Sequence, residues 1–304
     1  MRCTLGNPDG RVVTAPPEEA PSTCIGIFSP GSMGAGIGWA LREGGARVVA
    51  TVAGRSPRTA RLAAAAGLEL LPDLAEVVRV AQVILVVTPP AEAVDAAHQL
   101  AENISTERPI VADLNATAPA TVAEVARILG PVDLVDGSIS GAPPTVRPGA
   151  RIYLSGPRAH DVAALPWTHA TPVVVDDRVG SASAVKMCTA SVYKGLVGLY
   201  AQALRTAGHH GVLDRVVADL AASGLGGDPA RSVAVAATKA WRYVPEMREI
   251  AATQRAAGLT PALFEAYAQV WADVAGTELA GGDPESVDPR LPVAEIVERL
   301  RPTR

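Results

Sequence analysis

Lys186 closes the stretch Gly180-Ser181-Ala182-Ser183-Ala184-Val185-Lys186, and its neighbourhood is otherwise apolar. An ammonium forced into such surroundings loses hydration, and its pKa falls toward the range in which it can give or take a proton near neutral pH. Lys186 is therefore the candidate general acid–base. A second group, Ser29-Pro30-Gly31-Ser32-Met33-Gly34, follows an apolar run and precedes a helical pattern. It occupies the place of a G-x-G-x-x-G loop, with Ser29 where the first glycine would stand. Gly31 lets the backbone approach a pyrophosphate, Gly34 lets the helix lie close to the strand, and the helix N-terminus supplies N–H donors. A third group, Ala53-Gly54-Arg55-Ser56-Pro57-Arg58, follows the next strand-like run and lacks the carboxylate that would hold the ribose hydroxyls of NAD. Arg55 and Arg58 can pair with a 2′-phosphate and Ser56 can donate to it, so these residues predict NADP(H).

Helical spacing selects the neighbours of the lysine. Offsets of three, four and seven share its face, which gives Thr189, Ala190 and Tyr193. Tyr193 would place a hydroxyl over a substrate, or serve only in packing. Lys194 lies about 80° off that face and is a second candidate for binding an anion. Ser140 and the Gly141 N–H would hold a carboxylate or a similar oxygen. Other chemistry has less support. His209 and His210 are adjacent, so they point apart on a helix, and no partner has metal-ligand spacing. Asp176-Asp177 reads as a boundary turn, Cys188 as a buried apolar thiol, and no Gly-x-Ser-x-Gly elbow is present.

The elements that must carry these residues alternate. Strand-like runs over 24–28, 47–52, 68–71, 83–87, 110–113 and 134–138 are separated by helical patterns over 33–43, 57–66, 74–80, 91–102 and 117–129. Runs apolar on both faces imply parallel strands covered on both sides, and right-handed crossovers then wind a doubly wound sheet. A strand pair over 151–155 and 172–175 extends it. Beyond Asp177 only helical patterns continue, over 181–207, 213–222, 230–241, 247–257, 261–275 and 293–300. The expected fold is α/β: an N-terminal Rossmann sheet over 23–177, then an all-α domain over 178–304 opened by a long helix.

Composition bounds the rest. The chain has 304 residues, 48% hydrophobic and 19% charged, which suits two ordered domains. A net charge of −4 and 4% aromatics offer neither long-range attraction nor stacking surface to nucleic acid. No apolar run reaches the roughly 20 residues that span a bilayer. Residues 1–22 lack a signal-peptide core and read as a disordered lead-in. Cys3, Cys24 and Cys188 are odd in number and read as reduced thiols, so the expected compartment is the cytoplasm.

Five motifs in order resemble the β-hydroxyacid dehydrogenase family, related to 6-phosphogluconate dehydrogenase. Gly26-Ile27-Phe28-Ser29-Pro30-Gly31-Ser32-Met33-Gly34 resembles its cofactor loop, and Gly54-Arg55-Ser56 its Asn-Arg-Ser/Thr segment. Asp113-Leu114-Asn115-Ala116-Thr117-Ala118-Pro119 keeps the spacing of its Asp-x-Ser-Thr-x-x-Pro segment. Asp136-Gly137-Ser138-Ile139-Ser140-Gly141-Ala142 resembles its substrate loop, and Gly180 to Lys186 the segment that carries its catalytic lysine. The Ser-Pro-Gly loop and the Lys-Met-Cys helix look most like a branch described as 6-phosphogluconate dehydrogenase-like, with a distinctive helical domain.

The resemblance implies cofactor contacts at Thr88 and Asn115, the latter near the nicotinamide, and at Arg248 of Arg248-Glu249, where the family has Lys-Asp. This chain departs from the family at Ala190, where an Asn normally stands, and at Ala142, which is followed by Pro143-Pro144. The function expected is reversible hydride transfer between NADP(H) and a small hydroxy acid or related alcohol, in a homodimer with no metal. Imine reduction on the same scaffold, a decarboxylating sugar-acid dehydrogenase, and a non-catalytic NADP-binding protein are the alternatives.

Overall fold

A computed structural model describes residues 23–104, 109–223, 228–283, 287–288 and 290–301. The expected lead-in over 1–22 and Cys3 lie outside the described residues. Six strands run mutually parallel: β1 (Cys24–Phe28), β2 (Arg47–Ala50), β3 (Glu69–Leu70), β4 (Val83–Val86), β5 (Ile110–Asp113) and β6 (Leu134–Ser140). β7 (Ala150–Ser155) adds antiparallel to β6, and β8 (Ala170–Val174) parallel to β7. The eight strands lie in the order β3-β2-β1-β4-β5-β6-β7-β8. The chain reverses its direction of progress between β1 and β4, and in such sheets a crevice opens there, beyond the carboxyl ends of the strands.

Every residue of β1 and β4 is buried, as parallel strands covered on both faces require. The crossover helices are α1 (Ser32–Glu43), α2 (Pro57–Ala65), α3 (Leu74–Val80), α4 (Ala93–Asn103) and α5 (Pro119–Leu129). A short α6 (Ala159–Ala163), absent from the helical patterns of the sequence, joins β7 to β8. Ile25, Ile27, Ile37, Leu85, Ile152 and Leu154 form the centre of the sheet's core.

The remaining helices are α7 (Ser181–His209), α8 (Leu213–Ala222), α9 (Pro229–Ala237), α10 (Ala240–Ala256), α11 (Ala262–Ala275) and α12 (Val293–Arg299). The 29 residues of α7 span roughly 43 Å at 1.5 Å per residue. They are clothed by the other helices around a second core that includes Met187, Leu204, Met247, Trp271 and Leu300. Gly198 lets α11 approach closely: a Cβ there would lie 2.8 Å from the Tyr267 ring.

The division between α9 and α10 differs from the expected helices over 230–241 and 247–257. The break falls at residues 238–239, and α10 runs unbroken through Pro245. Pro245, the sixth residue of α10, cannot donate to the Trp241 carbonyl, and the helix continues through it with that bond forfeited.

Candidate active site

The start of α7 is bolted to the sheet. Gly180 adopts φ +104°, a left-handed conformation that suits glycine, and so turns the chain from the sheet into the helix. Buried Asp136 of β6 accepts bonds from Gly180 N (2.9 Å), Ser183 N (3.0 Å), Ser183 Oγ (2.6 Å) and Ser155 Oγ (2.9 Å). A carboxylate at a helix N-terminus also meets the positive end of the helix dipole. Ser138 Oγ donates to Ala182 O, and Ala182 N donates to Ser155 Oγ. One turn further on, Lys186 Nζ donates to the carbonyl of Ile139 at 2.6 Å, near the end of β6. Burial, and then the charge of Arg242, lower the Lys186 pKa from 10.5 to about 8.

Around the crevice the loop after β1 takes the shape its composition suggests. A Cβ on Gly34 would lie 2.5 Å from the Ser29 carbonyl oxygen, so only glycine fits the start of α1. Gly31 instead faces open space, where a ligand's phosphates can approach the backbone. Ser29 itself sits at φ +68°, a conformation more comfortable for the glycine it replaces. A cavity of about 140 Å³ opens beside this loop, lined by Phe28, Ser29, Thr51, Ala53, Arg55 and Leu74 among others. The Arg55 guanidinium lies 5.5 Å from the centroid of the Phe28 ring. Ser56 accepts from Thr59 N and caps α2, and Arg58 Nε pairs with Asp283 at 3.1 Å.

Beyond β4 and β5 the polar groups are left partly unsatisfied. Asn115 N donates to Asp113 Oδ1 (2.9 Å), and Asn115 Oδ1 accepts from Thr88 N (2.6 Å). Burial pushes the Asp113 carboxyl up to about 7. Thr88 Oγ1, Asn115 Nδ2 and Thr117 Oγ1 are buried without a hydrogen-bond partner. Orphaned donors and acceptors of this kind fit a polar ligand laid across the strand ends. Ala116, between two of these residues, packs against the core containing Met187 and Ala190 of α7, so this group and the lysine helix adjoin.

The facing wall is α10. Glu249 accepts from Ala118 N and Thr121 Oγ1, both at 2.7 Å, and thereby caps α5. Buried Glu246 pairs with Lys194, whose amine also lies 4.6 Å from the centroid of the Tyr243 ring. Arg242, one turn before Glu246, brings a further positive charge to Lys186 and Lys194. Arg242 and Glu246 fall between the expected helices over 230–241 and 247–257, which is why neither stands among the expected site residues.

Lys186, Ser140, Gly141, Thr88 and Asn115 cluster at the ends of β4, β5 and β6, while Ser29 to Gly34, Arg55, Ser56 and Arg58 flank the crevice. Ser140 ends β6, and Gly141 follows at φ +142° with its α-carbon against Ala150, where a Cβ would lie 2.8 Å from Ala150 Cα. Four expectations are corrected. Tyr193 is 68% exposed, so within one protomer it does not roof the site. Arg248 is exposed, because the face of α10 that turns inward carries Met247 and Ile250, and it is Glu249 that reaches the sheet domain. Lys194 is committed to Glu246 rather than open to a ligand. Cys188 is exposed, not buried. Among the described residues no group of three or more His, Cys, Asp or Glu could hold a metal, and no helix is long and apolar enough to cross a membrane.

Residues 24–116 match the family described as NADP oxidoreductase, coenzyme F420-dependent, and residues 207–274 match a domain of unknown function, DUF1932. Over 166 residues the chain is 23% identical to an uncharacterized 28.5 kDa protein of Methanothermus fervidus; the match takes in 55% of this chain and 64% of that relative's length. A conserved hypothetical protein of Sinorhizobium meliloti is 25% identical over 93% of this chain and 96% of its own, with a TM-score of 0.60. The 3-hydroxyisobutyrate dehydrogenase of Mycobacterium tuberculosis, solved with L-serine, shares the fold at TM-score 0.63 and 16% identity, covering 92% and 99% of the two chains. A reductive aminase of Aspergillus terreus, solved with NADPH and ethyl-5-oxohexanoate, shares it at TM-score 0.54 and 14% identity, covering 92% and 100%.

Proposed function

We propose that this chain, a 3-hydroxyacid dehydrogenase-like protein in both its nucleotide-binding half and its helical half, is an NADP(H)-dependent oxidoreductase. It acts on a small hydroxy acid or related alcohol, with substrate held between the strand ends and α10. The observation that carries the proposal is the placement of Lys186. Its desolvated amine sits one turn into α7, hydrogen-bonded to the Ile139 carbonyl beside the unsatisfied Thr88, Asn115 and Thr117.

When bound, NADP(H) supplies or accepts the hydride. The phosphates would lie against Ser29, Pro30, Gly31, Ser32, Met33 and Gly34, and the 2′-phosphate against Arg55 and Arg58. The absence of a carboxylate in the loop after β2 supports NADP over NAD. Thr88 and Asn115 would orient the nicotinamide end with their free polar atoms. Lys186 holds the proton that accompanies the hydride: as an ammonium it donates to the oxygen of a carbonyl being reduced, and as an amine it takes the hydroxyl proton in oxidation. The Ile139 carbonyl fixes the amine's direction. Ser140 and the Gly141 N–H hold an oxygenated group of the substrate.

The division into a nucleotide-binding domain over 23–177 and a substrate domain over 178–304 belongs to the same proposal, as does a cytoplasmic setting. So does a homodimer: Val192, Tyr193 and Leu199 leave α7 with exposed apolar side chains, a surface suited to a second copy. Imine reduction is the second reading, favoured by Ala190, which is 4% exposed and leaves no amide one turn beyond Lys186 to help orient a hydroxy acid.

A panel of hydroxy acids, keto acids, sugar acids and cyclic imines, assayed with NADP and NADPH, tests the proposal. Turnover of a hydroxy acid or its keto acid is expected, and Lys186→Ala should abolish it while dinucleotide affinity stays. Persisting turnover in Lys186→Ala removes the lysine from the mechanism, and turnover of imines alone selects the second reading.

A further inference from the structure

Arg242 lowers the pKa of Lys186, but the proposed reaction gives it no contact with substrate. It stands in the first turn of α10, and its Nε is buried without a hydrogen-bond partner. Glu246, the carboxylate one turn along the same face, is taken by Lys194. Among the described residues no other carboxylate pairs with Arg242. The local charge is therefore unbalanced: Arg242 acts on Lys186 and Lys194, and Arg58 acts on Arg242. A guanidinium nitrogen withdrawn from water, on a side chain that is itself half-buried, needs a partner, and like charges gathered around it raise the cost of leaving it without one.

We propose that Arg242 is an anion receptor, which takes a carboxylate or phosphate group of the substrate on the α10 wall of the cleft, away from Ser140 and Gly141. The inference rests on the cleft being the substrate site of an NADP(H)-dependent enzyme, and it adds the substrate's charge. A guanidinium offers a planar fork that meets two oxygens of such a group at once, which a lysine at the same place could not do. Tyr243 and the Lys194–Glu246 pair fill the space beside it, so the receptor is walled on the side of α7. The preferred substrate carries negative charge at the Arg242 end, and compounds neutral there bind poorly.

Calorimetric titration of the NADPH-loaded full-length protein with malonate, inorganic phosphate and uncharged malonamide tests this. Wild type is expected to bind at least one of the two anions and not malonamide. Arg242→Gln should weaken that binding at least tenfold and leave NADPH affinity unchanged. Arg242→Lys keeps the charge but not the fork, and decides the matter if the glutamine variant does not fold: it should bind at least threefold more weakly. Anion affinity equal to wild type in the variants, or no anion binding by NADPH-loaded wild type, overturns the inference while the oxidoreductase proposal stands. Weakened NADPH binding with retained malonate binding also overturns it, by giving Arg242 to the cofactor. If wild type does not bind NADPH, the oxidoreductase proposal falls; the same anion titration on the free protein then decides Arg242 separately.

Discussion

Replacing Lys186 with Met removes an amine that the fold holds at a pKa of about 8 instead of 10.5. At pH 7 roughly one such amine in ten is neutral, against roughly one in three thousand for an ordinary lysine, so a base is present about 300-fold more often. The same difference has a cost. Between pH 8 and 10.5 the unfolded chain binds the proton that the folded chain has lost, so this group makes stability rise with pH across that window. Below pH 8 both states are charged and the folded protein carries the whole penalty, about 3 kcal/mol at ~1.4 kcal/mol per tenfold change. Methionine relieves it but forfeits the bond to the Ile139 carbonyl, about 1 kcal/mol. Lys186→Met is thus expected to be more stable than wild type by about 2 kcal/mol at pH 6, with the gain gone by pH 11. Its turnover should fall by about 10²–10⁴, the usual contribution of a positioned acid or base. In wild type, the reductive rate should decline and the oxidative rate rise as pH passes 8. Urea unfolding across pH, with rates followed by nicotinamide absorbance, measures both effects. A variant destabilised equally at pH 6 and 11, or a wild-type profile flat from pH 7 to 9, would refute the assignment.

The double variant Arg55→Ala/Arg58→Ala should lose about tenfold or more in NADPH affinity while NADH affinity stays, because only the 2′-phosphate is affected; equal losses in fluorescence titration would argue against this loop as the discriminator. Gly34→Ala forces a Cβ to within 2.5 Å of the Ser29 carbonyl oxygen. The loop must shift, so nucleotide binding should drop sharply, with a lower melting temperature as the second readout. Asp136→Asn replaces a carboxylate that accepts four bonds with an amide whose NH₂ faces donors. A loss of about 3 kcal/mol in chemical denaturation is expected, and a smaller loss would mean that the start of α7 is held by other contacts.

The glycine loop, the parallel strands and the lysine could be read from sequence because each depends on local pattern: a turn that needs small residues, short runs apolar on both faces, a helix that follows. Lys186 was legible for the same reason, since Gly180 and the small residues after it mark the helix start. What escaped is tertiary. Helical spacing puts Tyr193 on the side of Lys186 but cannot say whether anything covers that turn, and in one protomer it is left exposed. Lys194 looked available to an anion until α10 brought Glu246 against it. Arg242 and Glu246 lie in the gap between the expected helices over 230–241 and 247–257, whereas α10 runs unbroken through Pro245 and carries both on one face. The carboxylate of Asp136 sits in a recognisable motif, but its four donors come from two separate segments, Ser155 and the turn over 180–183, and no spacing rule connects these to Asp136.

The two walls of the cleft are held by different means, and this separates what each can change. Lys186 hangs from the sheet through Asp136, Ser138 and Ser155, so its position follows from residues that also build the fold, while its proton affinity also feels the charge of Arg242. Arg242 belongs to α10, which grips the sheet domain through Glu249 at the cap of α5, about two turns away. Substitutions in the first turn of α10 can therefore alter which substrate charge is accepted without moving the amine or the glycine loop. Substitutions around Asp136 cannot be so selective, since they displace the proton donor and loosen the core together. Under the proposed function, substrate charge preference is expected to follow from the helical half and the position of the proton donor from the sheet end and the root of α7.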